Sequence, residues 1–155
     1  MIKSLLSIDD LTVTQIDRIY EVAKNIIADE DSFKDSLEGE ILLNFFFENS
    51  TRTRLSFEMA AKKMGAKVSN IDISLSSLKK GELLDDMAKT ISCLNPSFVT
   101  IRHNSSGIVA MFDKVIEASV INAGDGMNEH PTQALLDCFL MREKMGDLKQ
   151  LKVAI

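Results

Sequence analysis

The chain has 155 residues, a length that suits one α/β domain with a buried core. Apolar residues make up 45% of it and charged residues 26%, as in an ordinary globular protein. The formal net charge of −5 excludes a broadly basic surface for nucleic acid or anionic membranes, and no apolar run is long enough to span a bilayer. An anionic ligand would therefore need a local cluster of basic groups. The two cysteines form no CxxC motif, so we expect a reduced, cytoplasmic chain.

Helical and extended patterns alternate along the chain. The first helix begins at a capping box of Thr12 and Gln15, and apolar residues then recur at helical spacing as far as Ile27. The continuous apolar run 41–47 is typical of a central parallel strand. The later predicted elements, in order, are a helix over 51–64, a strand over 67–72, a polar loop over 73–82, a helix over 85–94, a strand over 97–102, a helix over 107–115, a strand over 119–123, a helix over 131–145 and a strand over 151–155.

Strands separated by helices of this length predict an α/β fold in which a parallel sheet carries helices on both faces, a three-layer, Rossmann-like arrangement. Ligands of such sheets bind beyond the C-terminal ends of the strands. Four polar clusters fall at those positions, over 50–54, 102–103, 122–125 and 130–133. Their shared placement predicts one binding site.

The segment 50–54, Ser-Thr-Arg-Thr-Arg, follows the most apolar strand and opens a helix. Free backbone N–H groups and the helix dipole favour an anion at such a position, and the planar fork of Arg52 suits phosphate oxygens. The alternative is a helix cap with solvated arginines. Arg54 is expected to pair with Glu58, four residues further along the helix.

Three further segments are candidates for the same site. Arg102 is a second cation or a solvated strand end. His130 is a donor to a carbonyl oxygen and the Gln133 amide a partner for small-ligand N–H and C=O groups, or both are ordinary residues of a first helical turn. The glycines that flank Asp125 indicate a tight loop where backbone approaches a ligand. The loop 76–82, with adjacent lysines, is either a solvent loop or an arm that carries a cation to its own or a neighbour's anion site.

Five motifs resemble, in order and spacing, the signature of the aspartate/ornithine carbamoyltransferase family. Together they cover the whole chain, and the first and last are highly specific. Thr132 and Lys80 resemble the aspartate branch of the family rather than the ornithine branch. The motifs are Phe46–Glu58, Lys80–Glu82, Arg102-His103, Asn122–Gly126 and His130–Asp137.

The resemblance implies a role for each residue of a carbamoyl-phosphate site. The phosphate group would be held by Ser50, Thr51, Arg52 and Thr53. Arg102 would contact the phosphate and the carbonyl region, where it polarises the carbonyl oxygen together with Thr53 and His130. Gln133 would hold the carbamoyl amide, and Glu48 would lie near an interdomain hinge. Ser76, or its neighbour Ser77, and Lys80 would reach into the site of the adjacent subunit of a homotrimer.

The resemblance also implies a reaction, the transfer of the carbamoyl group from carbamoyl phosphate to the α-amino group of L-aspartate in pyrimidine synthesis. It implies no metal or cofactor, and it allows regulatory chains as partners. Residues 1–150 would form the carbamoyl-phosphate-binding domain, and 151–155 would begin a missing aspartate-binding domain, so that the chain alone does not turn over. The alternatives are an ornithine or other carbamoyltransferase, a non-catalytic carbamoyltransferase-like subunit, and a generic flavodoxin-like module that binds phosphate or nucleotides.

Overall fold

The computed structural model describes residues 3–72, 83–149 and 151–154. Two short 3-10 helices, at Ile8–Asp10 and Asp31–Phe33, flank the first helix, whose capping box of Thr12 and Gln15 forms as predicted. The strands and α-helices are α1 (Val13–Ala28), β1 (Ile41–Phe46), α2 (Thr51–Lys63), β2 (Lys67–Asp72), α3 (Leu84–Cys93), β3 (Phe98–His103), α4 (Ile108–Asp113), β4 (Ser119–Asp125) and α5 (Pro131–Met145).

The four strands form one sheet in the order β2-β1-β3-β4, and every pairing is parallel. The chain leaves β1 towards one neighbour, β2, and later returns to the opposite side of β1 as β3. The strand order therefore reverses between β1 and β3. In open α/β sheets the crevice outside the carboxyl ends of such a strand pair is the usual ligand site. The predicted parallel α/β fold is confirmed.

Side chains of each strand alternate between the two faces of the sheet. Leu43 and Phe45 pack into a core with Ile91 of α3 and Phe112 of α4. Leu42, which directly precedes Leu43, packs on the other face with residues of α2. A third apolar cluster joins α1 to α5, where the rings of Tyr20 and Phe139 lie 5.4 Å apart. Helices thus cover both faces, as the sequence predicts.

A chain of polar side chains ties α2 to three strands. The hydroxyl of buried Thr100 donates to the Asn44 side chain, whose amide donates to Asn70 Oδ1 at 2.9 Å. Asn70 in turn donates to Glu58 Oε2 at 2.8 Å, and Lys62 Nζ lies 2.6 Å from Glu58 Oε1. The hydrogen bonds from Lys62 and Asn70 lower the pKa of Glu58. Among the described residues the ion pair of Glu58 is thus with Lys62, and the predicted pairing of Glu58 with Arg54 is wrong.

Two other predictions, for the end of β4 and for the run at 151–155, are also wrong. The strand predicted to end at residue 123 continues to Asp125, because Asn122 and Asp125 are buried and find hydrogen-bond partners within the fold. The run 151–154 does not form the predicted strand. A strand needs a neighbour to receive its hydrogen bonds, and apolar composition alone does not provide one. No helix of the described residues is long and apolar enough to cross a membrane.

Candidate anion-binding cleft

Helix α2 begins at Thr51, shortly after β1 ends at Phe46, and so lies at the edge of the sheet where the crevice is expected. Ser50 is its N-cap, and the Ser50 hydroxyl makes no capping hydrogen bond. The first intrahelical bond of this turn is from Arg54 N–H to the Ser50 carbonyl at 3.1 Å. The N–H groups of residues 51–53 therefore precede the hydrogen-bonded ladder, at the positive end of the helix dipole. Such a terminus attracts phosphate or carboxylate groups.

A cleft of about 720 Å³ lies beside this helix start. That volume is in the usual range for small-molecule sites. Ser50, Arg52 and Thr53 line it at the start of α2, and Arg102 lines it at the end of β3. The remaining wall includes His130 and residues of the first two turns of α5. Two arginines and no carboxylate line it among the described residues. The chain is acidic as a whole, so the cleft is the local basic cluster that an anionic ligand requires.

Arg102 reaches the cleft because of strand alternation. Ile101 points into the core under α4, so Arg102 points to the opposite face, between α2 and α5. Its Nε donates to Glu48 Oε1 and its Nη1 donates to the Ala123 carbonyl at 3.1 Å. These two bonds fix the guanidinium group at the rim of the cleft. The neighbouring His103 points away, packs its ring 4.5 Å from that of Phe47, and accepts the Ser105 N–H at Nδ1.

Gly124 makes room for the Arg102 side chain. Its φ is +132°, and a Cβ placed there would lie 2.8 Å from Arg102 Nη1 and 3.1 Å from Cζ. The predicted tight turn begins at Gly126, whose φ is +59°, and Gly124 is not part of it. Gly124 lies within β4, and what approaches its backbone is the arginine that lines the cleft.

His130 stands at the N-cap of α5 with a side chain that makes no capping bond. Burial is the main cause that lowers the pKa of His130, and nearby Arg102 lowers it further, against an opposing effect of Asp137. The imidazole is therefore neutral near pH 7 and offers one N–H donor and one acceptor nitrogen. Its Nδ1 lies 3.4 Å from Thr132 Oγ1. A hydroxyl that donates to Nδ1 leaves the proton on Nε2.

Gln133 is one turn into the same helix and also lines the cleft. Its Nε2 donates to Asp137 Oδ1 at 2.9 Å, four residues further along α5. Among the described residues Gln133 Oε1 accepts no hydrogen bond, so it can accept one from a ligand. A carbamoyl or amide N–H₂ group is a suitable donor to it.

Not every residue singled out in the sequence lies in the cleft. Ser50, Arg52, Thr53, Arg102, His130 and Gln133 share it, whereas the Thr51 side chain is exposed at the helix start and does not line it. Asn122 is buried and donates to the Leu6 carbonyl at 2.8 Å. Asp125 is buried away from the cleft. Ser76 and Lys80 lie outside the described residues.

Part of the cleft wall consists of residues that were not predicted to belong to the site. Ser56, Phe57 and Ala60 extend it along α2, and Thr132 and Leu136 extend it along α5. The signal was available, since residues three, four and seven positions after Thr53 share its face of a helix, as Leu136 shares that of Thr132 and Gln133. The apolar members of this set narrow the cleft beyond the cationic end.

The two histidines should make the free energy of unfolding depend on pH. Burial lowers the pKa of His103 as well as that of His130, so the unfolded chain binds protons more readily than the folded chain below about pH 6.5. We expect the free energy of unfolding to fall as the pH is lowered from 7.5 to 5.5. Urea titrations of the chain and of a His130→Gln variant test this, and the variant should show the shallower slope. Equal slopes would show that His130 does not contribute to the pH dependence of stability.

The fold and the cleft define a class of protein, an α/β protein with a crevice lined by two arginines at the point where its strand order reverses. Residues 3–143 match the model of the aspartate/ornithine carbamoyltransferase family, carbamoyl-P binding domain. The chain therefore belongs to that family.

Named relatives agree with this assignment. The aspartate carbamoyltransferase catalytic subunit of Acetivibrio thermocellus is 49% identical over 99% of this chain. The catalytic subunit of M. jannaschii aspartate transcarbamoylase superposes with a TM-score of 0.84 and 38% identity, over 94% of this chain and 48% of that one. Aspartate transcarbamoylase from Trypanosoma cruzi in complex with carbamoyl phosphate superposes with a TM-score of 0.88 and 31% identity, over 94% and 48%. The chain spans about half the length of the curated relatives it matches.

Proposed function

We propose that this chain is the carbamoyl-phosphate-binding half of an aspartate carbamoyltransferase catalytic chain. The reaction is carbamoyl phosphate plus L-aspartate to N-carbamoyl-L-aspartate plus phosphate, in de novo pyrimidine synthesis. The observation that supports this most strongly is the shared cleft, in which two arginines, a helix N-terminus and a neutral imidazole surround a space for one small anion. The solved structures of T. cruzi aspartate transcarbamoylase with carbamoyl phosphate and with aspartate support the same substrates.

In this proposal each lining residue has a part in holding carbamoyl phosphate. The phosphate group lies at the start of α2, where Ser50, Arg52, Thr53 and the free N–H groups donate to its oxygens. The Thr51 backbone is part of that set, although its side chain is exposed. Arg102 bridges the phosphate and the carbonyl oxygen. The Gln133 carbonyl accepts from the carbamoyl N–H₂ group.

The chemistry requires stabilisation of an oxyanion. The amine attacks the carbonyl carbon, negative charge develops on the carbonyl oxygen, and the bond to the phosphate oxygen breaks. Donors from Arg102, Thr53 and His130 Nε2 surround that oxygen, and one preorganised donor of this kind is typically worth ~3 kcal/mol. The departing phosphate accepts the proton of the amine. Alignment of two bound substrates contributes much of the remaining acceleration.

The proposal extends to the rest of the protein. Residues 1–150 form the carbamoyl-phosphate-binding domain, the aspartate-binding domain begins at 151–155, and the 155-residue chain alone binds ligand without turnover. Its partners are L-aspartate and two further copies in a homotrimer, in which Ser76, or its neighbour Ser77, and Lys80 complete each neighbouring site. The family resemblance also allows regulatory chains. A cytoplasmic location is supported by two free cysteines, Cys93 and Cys138.

The acceptor specificity is tested with the natural protein that carries this chain. Assays with carbamoyl phosphate and either L-aspartate or L-ornithine should give N-carbamoyl-L-aspartate and no citrulline. Citrulline formation would assign the chain to the ornithine branch. If neither product forms, the alternative of a non-catalytic carbamoyltransferase-like subunit is favoured.

Arg52 and Arg54 offer a matched pair of variants on the first turn of α2. Arg52 lines the cleft and Arg54, two residues further on, does not. We expect Arg52→Ala to lower the affinity of the chain for carbamoyl phosphate by about tenfold, and Arg54→Ala to change it less than about twofold, because only the first removes a charged hydrogen bond to the ligand. NMR titrations of both variants measure this. Equal losses would reduce the role of Arg52 to general charge attraction.

A further inference from the structure

Asp125 is a buried carboxylate that takes no part in the proposed chemistry. It closes β4, is 4% exposed, and does not line the cleft. A carboxylate removed from water needs donors around it, because an unpaired buried charge is costly. The ion pairs formed among the described residues do not include Asp125. Its partners in this part of the chain are therefore neutral donors.

The donors to Asp125 come from two different loops. The Gly107 N–H lies 2.9 Å from Oδ1 and 3.1 Å from Oδ2, and the Asn128 side-chain amide donates to Oδ2 at 3.1 Å. The backbone of Asp125 is engaged as well, since its N–H donates to the Glu129 carbonyl at 3.0 Å and its carbonyl accepts the Asn128 N–H at 2.9 Å. Every polar group of Asp125 thus holds a loop.

Each of the two loops adjoins a residue that is proposed to bind the ligand. The 104–107 loop follows β3, whose end bears Arg102, and the 126–129 loop leads directly into His130. The loops are in close contact, because Gly126 N–H donates to the His103 carbonyl at 2.8 Å and a Cβ at Gly126 would lie 2.7 Å from Ser106 N. The position of His130 relative to Arg102 therefore depends on this junction.

We propose that Asp125 is a positioning residue that fixes the 104–107 loop against the 126–129 loop, so that Arg102 and His130 face the same ligand. The inference rests on the proposed function, because it assumes that these two residues hold one ligand. A carboxylate suits the task, since its two oxygens accept from both loops at once. The competing role is a contact that only stabilises the start of α4, and it would leave ligand affinity unchanged.

Ligand affinity and thermal stability together separate these roles. We expect Asp125→Ala to weaken carbamoyl phosphate binding by about tenfold, and Asn128→Ala, which removes one donor, by about threefold. The matched control is Asp113→Ala at the C-terminal end of α4, which removes a half-buried carboxylate that accepts the Ser4 hydroxyl at 2.5 Å. The control should lower the melting temperature and leave affinity unchanged. All titrations are made at a temperature where each variant is folded.

A second readout needs no ligand. The chain has two histidines, so the imidazole signals of His103 and His130 are assigned separately by NMR. Loosening the junction should expose His130 and move it from Arg102, which raises its pKa towards the ordinary value, whereas Asp113→Ala should not. If the unmodified chain binds no carbamoyl phosphate, the proposed function fails while the His130 signal still decides the role of Asp125.

The outcomes that overturn the inference are definite. They are an unchanged affinity and an unchanged His130 titration in folded Asp125→Ala and Asn128→Ala. Should Asp125→Ala fail to fold, Asp125→Asn, which keeps one acceptor oxygen, and Asn128→Ala decide by the same two measurements. Restored affinity in Asp125→Asn relative to Asp125→Ala would support the hydrogen bonds as the cause.

Discussion

Replacing Arg102 with alanine is expected to lower the affinity of the chain for carbamoyl phosphate by about 100-fold, or about 2.7 kcal/mol. The guanidinium group is half-buried and held by Glu48 and the Ala123 carbonyl, so it binds an anion without a large loss of side-chain freedom. Its removal takes away charge-assisted bonds to both the phosphate and the carbonyl oxygen of the proposed ligand. The variant also removes the partner of Glu48, which then repels the anion. NMR titration measures the loss.

Arg142→Ala is the matched control for this variant. Arg142 also pairs with a carboxylate, with its Nη1 2.7 Å from Asp17 Oδ1, and its guanidinium lies 5.3 Å from the Tyr20 ring centroid. It lies on α5 and does not line the cleft, so its removal should change stability by less than about 1 kcal/mol and leave affinity unaltered. If the two variants bound carbamoyl phosphate equally well, Arg102 would not hold the ligand.

Gly124→Ala is expected to weaken binding by about tenfold or more without any direct contact between the new methyl group and the ligand. The added Cβ would overlap the Arg102 side chain at 2.8–3.3 Å, so the guanidinium group must leave its position at the cleft rim. Loss of one charged hydrogen bond to the ligand accounts for a change of this size. Affinity for carbamoyl phosphate, measured as for the arginine variants, tests it.

Backbone strain is a separate effect that a control can measure. Gly39 also has a positive φ, of +85°, but a Cβ there meets no atom of the described residues within 4 Å. Gly39→Ala should therefore cost about 1–2 kcal/mol of stability through strain alone and leave binding unchanged. Unaltered affinity in Gly124→Ala would show that Arg102 tolerates displacement, and would argue against the geometry proposed for the cleft.

The fold could be predicted from the sequence because its strands and helices differ in pattern. The run 41–47 is apolar on both faces of a central strand, and helices such as α1 and α5 carry their own start signals, Thr12 and Pro131. The end of β4 could not be placed, since its Asn122, Gly124 and Asp125 have the composition of a turn. They belong to the strand because tertiary partners satisfy them.

The candidate site was predictable to the extent that chain order determines it. Strand ends of a parallel sheet lie at one edge, so Arg52, Arg102 and His130 were expected together, and all three line the cleft. The contacts that depend on side-chain packing could not be predicted from the sequence. Gly124 accommodates the side chain of Arg102, and Asp125 joins two loops. Such contacts depend on distances between segments far apart in sequence.

We propose that one small phosphoryl ligand lies between Arg52, Arg102 and His130. A crystal structure of this chain with carbamoyl phosphate would show whether it does. We predict the phosphate group at the N-terminus of α2 beside Arg52, with the carbonyl oxygen within hydrogen-bond distance of both Arg102 and His130. A ligand bound elsewhere, or contacts to only one of these three side chains, would contradict the claim.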